Sequence, residues 1–411
     1  MTVPPPAPLA PPPVGVRPRA LRTDARKIPR LVLAAWLALF VNVLAPGGNP
    51  TVIPIPRPLF QAVAQGSLVL ALAFALLANR RLVVRPNLFM TLLTALALSS
   101  LAISLHNQFV VGSVYRGVRL LAFVACLWLL TPWWGRRDLV LLRAHRVAMW
   151  AILALVLVGT AIAPGKAFAF EGRLSGTIWP VPPTQVAHYA AVLFGTSAIL
   201  WMCRVITGRH ALVAVAASTI ALIGTHTRTA LLGAAIGVAL ASASLFLGHA
   251  RVRRVSVSTV VGIIVATAAF APQIVSWLSR GQTVEDAAQL TGRTKVWSDV
   301  FATPRPTMDA LFGSGLSNKS FDGLAIDSNW VASYLDQGWF GVVLQAAMLL
   351  LLLAMAATHV RGPRRAVALF LVVYGVISSI TETGIGDASP YILDLVVAAS
   401  LLSSRPTQPS R

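Results

Sequence analysis

The chain has 411 residues, 56% of them hydrophobic and 11% charged, with a mean hydropathy of +0.74. A water-soluble core does not stay that apolar over such a length, so the composition excludes a soluble globular protein and describes an all-α, polytopic membrane helix bundle. The formal net charge of +21 is spread over separate short loops rather than gathered on one face, which excludes nucleic acid and makes anionic membrane lipids the expected partners.

Residues 1–30 are rich in Pro and Arg, with no aliphatic run before Leu31, and read as a disordered cytoplasmic tail rather than a signal peptide. Apolar runs of roughly 17 to 22 residues, each long enough to cross about 30 Å of hydrocarbon, then recur about twelve times. The expected spans are 31–47, 59–78, 87–106, 110–131, 147–163, 185–203, 211–225, 229–248, 256–276, 338–358, 365–381 and 389–404. Residues 31–404 thus read as one transmembrane domain, with an outer loop over 277–337, and 405–411 as a second cytoplasmic tail.

Charge orients the bundle, because cytoplasmic loops keep Lys and Arg. The N-terminal tail carries Arg17, Arg19, Arg22, Arg26, Lys27 and Arg30, and alternate connections carry Arg80/Arg81/Arg85, Arg136/Arg137, Arg204/Arg209, Arg251/Arg253/Arg254 and Arg361/Arg364. Placing these inside a bacterial cytoplasmic membrane leaves only Asp24 and Asp138 as acids on that side, with both termini cytoplasmic. Cys126 and Cys203 lie in no CxxC or metal-type spacing, so neither a disulfide nor a zinc site is supported.

The outer connections hold the informative residues. In 165–184, Arg173 precedes a Ser-Gly turn and a Pro-rich helix entry that would fix its register. In the tight hairpin at 224–229, His226 and Arg228 stand at the outer surface, with Arg228 where the next helix begins; an anion there would meet a guanidinium and free backbone N–H groups together. In the long loop, Arg293, Val296, Trp297 and Val300 fall at helical spacing, and Gly313 and Gly315 make a glycine turn. Asp327 stands ahead of the tenth span, as a proton acceptor or as an ordinary helix cap. Trp330 reads as an interface aromatic able to stack on a sugar.

Arg116 and Arg119 share one face of the fourth span, where charges normally face a cavity or a partner; Asp394 and Glu382 are the candidate partners. His188, in the sixth span, reads as a hydrogen-bonded packing residue.

Together these motifs resemble the O-antigen ligase and O-antigen polymerase superfamily, bacterial integral-membrane glycosyltransferases of the GT-C type. Similar members carry an RxxG before a proline-containing helix entry, matched by Arg173, Gly176, Pro182 and Pro183. They carry a Ser-Arg-Gly-like hairpin, matched by Thr227, Arg228 and Thr229, and a G-R-x-x-x-W loop start with a later G-x-G, matched by Gly292, Arg293, Trp297, Gly313 and Gly315. They also carry a His-Asn pair ahead of a G-x-x-G, where this chain departs with Asp327 and Ser328 ahead of Gly338 and Gly341.

The resemblance implies transfer of a glycan from a polyprenyl diphosphate (undecaprenyl or decaprenyl) to the hydroxyl of a glycan or lipid acceptor on the outer face, as polymerase or ligase in cell-envelope biosynthesis, with other envelope-biosynthesis proteins as expected partners. No DxD-like pair occurs in an outer loop, so the expected mechanism uses no cofactor or metal, with Arg173, Arg228 and Arg293 holding the diphosphate and Asp327 as base. The alternatives are a peptidoglycan-type polymerase and a non-enzymatic transporter or flippase of an anionic lipid-linked glycan. A transporter would carry charges through the midplane and discontinuous helices, whereas the charges read here cluster at the outer surface.

Overall fold

A computed structural model describes residues 27–44, 48–106, 110–246, 248, 250–279, 293–317 and 319–403. Expectations for the two tails and for 280–292 lie outside the described residues, as does the side chain of Arg293.

The described residues form an all-α bundle with one two-stranded hairpin. The helices are α1 (Arg30–Val43), α2 (Arg57–Ala78), α3 (Leu88–Ser104), α4 (Val110–Leu129), α5 (Val140–Ile162), the short α6 (Pro164–Ala167), α7 (Pro183–Met202), α8 (Gly208–Thr225), α9 (Arg228–Leu245), α10 (Ala250–Ser279), α11 (Arg293–Ala302), α12 (Thr307–Phe312), α13 (Asn329–Thr358), α14 (Pro363–Ser378) and α15 (Pro390–Leu402). The antiparallel strands β1 (Ser320–Phe321) and β2 (Leu324–Ala325) lie between α12 and α13. Local chemistry sets many of the starts. Proline occupies the first turn of α2, α7, α14 and α15, where its missing N–H costs nothing. The side chains of Asn87, Thr207 and Ser389 cap α3, α8 and α15.

Among the described residues, seven helices are long and apolar enough to cross a membrane: α2, α4, α5, α7, α8, α9 and α13. An eighth is α10 if its two halves, bent by 72°, count as one span. Pro272, which has no N–H to give the preceding turn, follows its non-helical residue Phe270. The other expected crossings fall on shorter helices: α1, α3 and α15 have 14, 17 and 13 residues, and α14 has 16. At about 1.5 Å per residue, none of these reaches the length of a full hydrocarbon core unaided.

Between apolar helices in lipid, close packing replaces the hydrophobic drive. Here Gly195 of α7 and Gly237 of α9 make room for Phe370 of α14, whose ring atoms lie 2.1 and 2.8 Å from where their Cβ atoms would be.

The connections gather at two ends. At one, the 44–56 connection bonds to 163–182 through Asn49 Nδ2 to the Val181 carbonyl (2.9 Å) and Val52 N to the Thr177 carbonyl (2.8 Å). The same end holds the α8–α9 hairpin, the 379–389 loop and the Leu316 backbone, which bonds to Ser104 and Ser113 at the α3–α4 connection. At the other end, Arg85 bonds to Thr131 and Trp134, Gly135 N to the Ser400 carbonyl, and Arg251 lies over Trp201. That second end is the one rich in arginine.

Helix α13 does not run straight into its span. It breaks at Gly338 (φ 63°, ψ −169°), leaving Asn329–Gln337 as a separate half-helix. Beside the break, the carbonyls of residues 334–336 accept from donors outside the helix. Arg305 donates to the Tyr334 and Leu335 carbonyls (3.0 and 3.1 Å), Ser314 N to Leu335 (3.0 Å) and Gly315 N to Asp336 (2.9 Å). Gly338 is required twice over, since its φ is left-handed and a Cβ would lie 2.4 Å from the Leu311 carbonyl. The expected glycine turn is present, with Gly313 and Gly315 at φ 86° and 92°, and its role is to dock α12 on this break. The expected helix from Arg293 is α11, whose Val296, Trp297 and Val300 pack on Ile326, Val331 and Ala332 and so cover the half-helix.

Candidate functional site

Two groups of expected site residues emerge at the same end of the bundle. The first is the α8–α9 hairpin. Helix α8 ends at Thr225, His226 turns the chain in the left-handed region (φ 50°), and α9 begins at Arg228. Arg173 is half-buried against this turn, its Nε donating to the Thr225 carbonyl (3.0 Å) and Nη2 to Thr227 Oγ1 (3.1 Å). Arg173 thus holds the hairpin that presents Arg228 beside the N-terminal N–H groups of α9. His226 stacks on Trp277, with centroids 5.2 Å apart.

The second group lines a cavity of about 710 Å³. Arg116 and Arg119 of α4 line it with Lys319, as do Glu382 and Asp387 of the 379–389 loop, Thr184, Gln185 and His188 of α7, and Gln61 and Gln65 of α2. Arg116 donates to the Ser317 carbonyl, and Arg119 Nη2 to the carbonyl and Oδ1 of Asn42 (3.0 and 3.3 Å). The arginines therefore face a cavity, and Asp394 is not their partner.

Asp394 belongs to a buried cluster instead. Its Oδ1 lies 2.7 Å from His145 Nε2, and its Oδ2 lies 3.3 Å from His188 Nε2. Trp36 Nε1, which only donates, points to His145 Nδ1 (3.4 Å), so Nε2–H of His145 is the donor to the carboxylate. His188 is 1% exposed, yet neither of its ring nitrogens makes a hydrogen bond, the approach to Asp394 being too far out of line. His188 is thus the packing residue expected from its sequence position, set among Tyr189, Tyr374 and Tyr391 at the edge of the cavity, but without the expected hydrogen bond.

The 379–389 loop joins the two groups. Thr381 donates to Thr229 Oγ1, one residue past Arg228 (2.8 Å). Asn329 N donates to the Ser379 carbonyl (3.0 Å), and Asn329 Oδ1 accepts from Gly384 N and Ile385 N (3.2 and 2.8 Å). Asp387 Oδ2 lies 3.7 Å from Lys319 Nζ. Asp327 is half-buried two residues before Asn329 and is not the cap of α13, a position held by Ser328. Neither Asp327 nor Trp330 is among the cavity-lining side chains; Trp330 packs against the main core.

Sequence reasoning missed the polar interior of the half-helix. Gln345 Oε1 accepts from Asn329 Nδ2 (2.6 Å), Gln345 Nε2 donates to Gln337 Oε1 (2.7 Å), and Gln337 Nε2 donates to Ser100 Oγ (2.8 Å) and the Gly386 carbonyl (2.9 Å). Part of its signal was present: Asn329, Ser333 and Gln337 recur every four residues and so lie on one side of a helix. Asp336 is buried too, accepting from Ser317 Oγ at 2.6 Å.

Fold and site define a class: an all-α bundle of apolar, membrane-length helices with a charged cavity at one end. No protein-family model matches the chain, and no curated protein matches it.

Proposed function

We propose that the chain is a membrane glycosyltransferase crossing the cytoplasmic membrane about twelve times, its hairpin end on the outer face. It moves a glycan from a polyprenyl diphosphate to an acceptor hydroxyl as a polysaccharide polymerase or ligase. The basic connections at the opposite end support the orientation, since that end suits the cytoplasm. The observation that carries the reading is the 379–389 loop, which ties the start of α9 at Arg228 and the start of α13 beyond Asp327 to a cavity walled by Arg116, Arg119 and Lys319. A diphosphate leaving group gathers charge as the bond to the sugar breaks, and fixed guanidinium groups stabilise it without reorganising. Amides and carboxylates lining the same cavity are the hydrogen-bonding groups that sugar hydroxyls need. Arg173 and Arg293 complete the cationic set of the motif order, Arg173 by holding the hairpin.

The test is transfer of radiolabelled glycan from a polyprenyl diphosphate by purified protein in detergent, with chelator present and Arg228→Ala in parallel. Extended or acceptor-linked product from the wild type alone supports the reading; no product with any carrier offered overturns it. The transporter reading gains from two observations, the discontinuous α13 and the buried Asp394 cluster. Movement of labelled carrier across vesicles without transfer would favour it.

A further inference from the structure

Joining a hydroxyl to a sugar requires a group that takes the hydroxyl's proton, and that group must open onto the space the sugar occupies. Asp327, the carboxylate offered by the motif order, does not line the cavity. His188 borders it, but both ring nitrogens are sealed behind Tyr189, Tyr374 and Tyr391. Among the described residues, the acids that line the cavity are Glu382 and Asp387, both half-buried and both on the 379–389 loop.

The two stand at different ends of that loop. Asp387 accepts from Ala388 N at Oδ1 (2.7 Å), and its Oδ2 lies 3.7 Å from Lys319 Nζ, which places it beside a cation of the set that lines the cavity with Arg116 and Arg119. Glu382 is at the end nearer the hairpin. Its N–H donates to the Ser378 carbonyl (2.8 Å), one turn beyond α14, and the residue before it, Thr381, donates to Thr229 Oγ1 beside Arg228 (2.8 Å). A single displacement at the anomeric carbon needs its base on the face of the sugar away from the leaving group. Asp387, next to Lys319, is on the side of the cations that take up the leaving diphosphate; Glu382, at the hairpin end, is the cavity carboxylate set apart from it.

We propose that Glu382 is the proton acceptor of the transfer reaction; the proposal rests on the glycosyltransferase reading. The acceptor oxygen forms a bond to the anomeric carbon, the bond from that carbon to the diphosphate oxygen breaks with its electron pair leaving on the diphosphate, and the acceptor's proton passes to a carboxylate oxygen of Glu382. The proton then leaves to water in the cavity. The loop is braced for this work. Asn329 Oδ1 accepts from Gly384 N and Ile385 N, Ser389 Oγ donates to the Gly384 carbonyl (2.7 Å), and Gln337 Nε2 donates to the Gly386 carbonyl. The polar interior of the half-helix thus holds the loop that carries the base, and a base held in place needs no reorganisation during the reaction.

The experiment measures steady-state transfer from radiolabelled undecaprenyl diphosphate-linked glycan by wild type, Glu382→Gln, Glu382→Asp, Asp387→Asn and Asp327→Asn, and repeats the Glu382→Gln and Arg228→Ala assays with sodium azide. Azide attacks as an anion with no proton to lose, so it needs no base. The expected result is a kcat loss on the order of 100-fold for Glu382→Gln with donor KM within about twofold, and a smaller loss for Glu382→Asp. Azide should restore cleavage of the donor in Glu382→Gln, with glycosyl azide as product, but not in Arg228→Ala. A Glu382→Gln enzyme with wild-type kcat overturns the proposal, as does a loss expressed only in KM or one that azide does not relieve. So does the same loss and azide recovery in Asp387→Asn or Asp327→Asn instead. If Glu382→Gln does not purify as a folded protein, wild type is treated with a carbodiimide and the modified carboxylates are mapped. Inactivation that tracks Glu382 and is slowed by undecaprenyl diphosphate supports the proposal; activity retained with Glu382 modified, or lost with Glu382 unmodified, overturns it. A wild type that transfers nothing ends the glycosyltransferase reading along with this one, whereas an active wild type with a fully active Glu382→Gln ends this one alone.

Discussion

The hairpin and the cavity carry the same kind of charge but are built differently. Arg173 comes from a short connection and Arg228 opens α9, and two local bonds from Arg173 to Thr225 and Thr227 tie the one to the turn ahead of the other. The cavity draws its walls from α2, α4, α7 and two connections, so each residue owes its place to the packing of the whole bundle. The contrast teaches that a local turn can be read from a short motif, while a cavity wall in a helical bundle cannot. It also gives the parts different tolerances: a hairpin substitution removes one group, whereas a change at the joint beside the cavity moves many.

The largest effect is therefore expected at that joint. Gly338→Ala forces a Cβ into the Leu311 carbonyl at a left-handed φ and should cost more than about 3 kcal/mol, seen as a large drop in the thermal midpoint or loss of monodisperse protein. Next is Arg228→Ala, which should lower kcat on the order of 100-fold while leaving the thermal midpoint close to wild type. Arg228→Lys should recover little, because an ammonium cannot reproduce a bidentate contact. Arg119→Ala should act mainly on donor KM, by about tenfold. If both arginines meet one diphosphate, the double variant should fall short of the product of the single losses; strictly multiplicative losses would mean two separate sites. The smallest effect is expected from Thr381→Val, which cuts the Thr229 contact between the two regions and should cost about 1 kcal/mol, read as a shift of a few degrees in thermal unfolding.

The sequence makes the helical stretches and the hairpin legible because both are local: apolar runs mark the helices, and the residues 224–229 leave no room for anything but a tight turn. Gly313 and Gly315 are equally plain as a turn, but not what the turn docks against, since Ser314 N and Gly315 N bond to the carbonyls of Leu335 and Asp336 beside a break some twenty residues on. That break is hidden because Gly338 looks like an ordinary small residue at the start of an apolar run. The number of full-length spans is less legible than the number of apolar runs, because α1, α3, α14 and α15 end early at prolines, caps and extended residues. His188 and Asp394 carry no spacing signal at all. They lie on α7 and α15 and meet only because α14 packs between and beside those helices.

The most direct measurement of the account is photo-crosslinking with a benzophenone-bearing polyprenyl diphosphate, followed by peptide mapping. The account predicts labelled peptides from the faces of α2, α4 and α7 that line the cavity, competed away by unlabelled carrier and weakened in Arg119→Ala. Labelling that avoids those helices, or that unlabelled carrier does not compete, would contradict it.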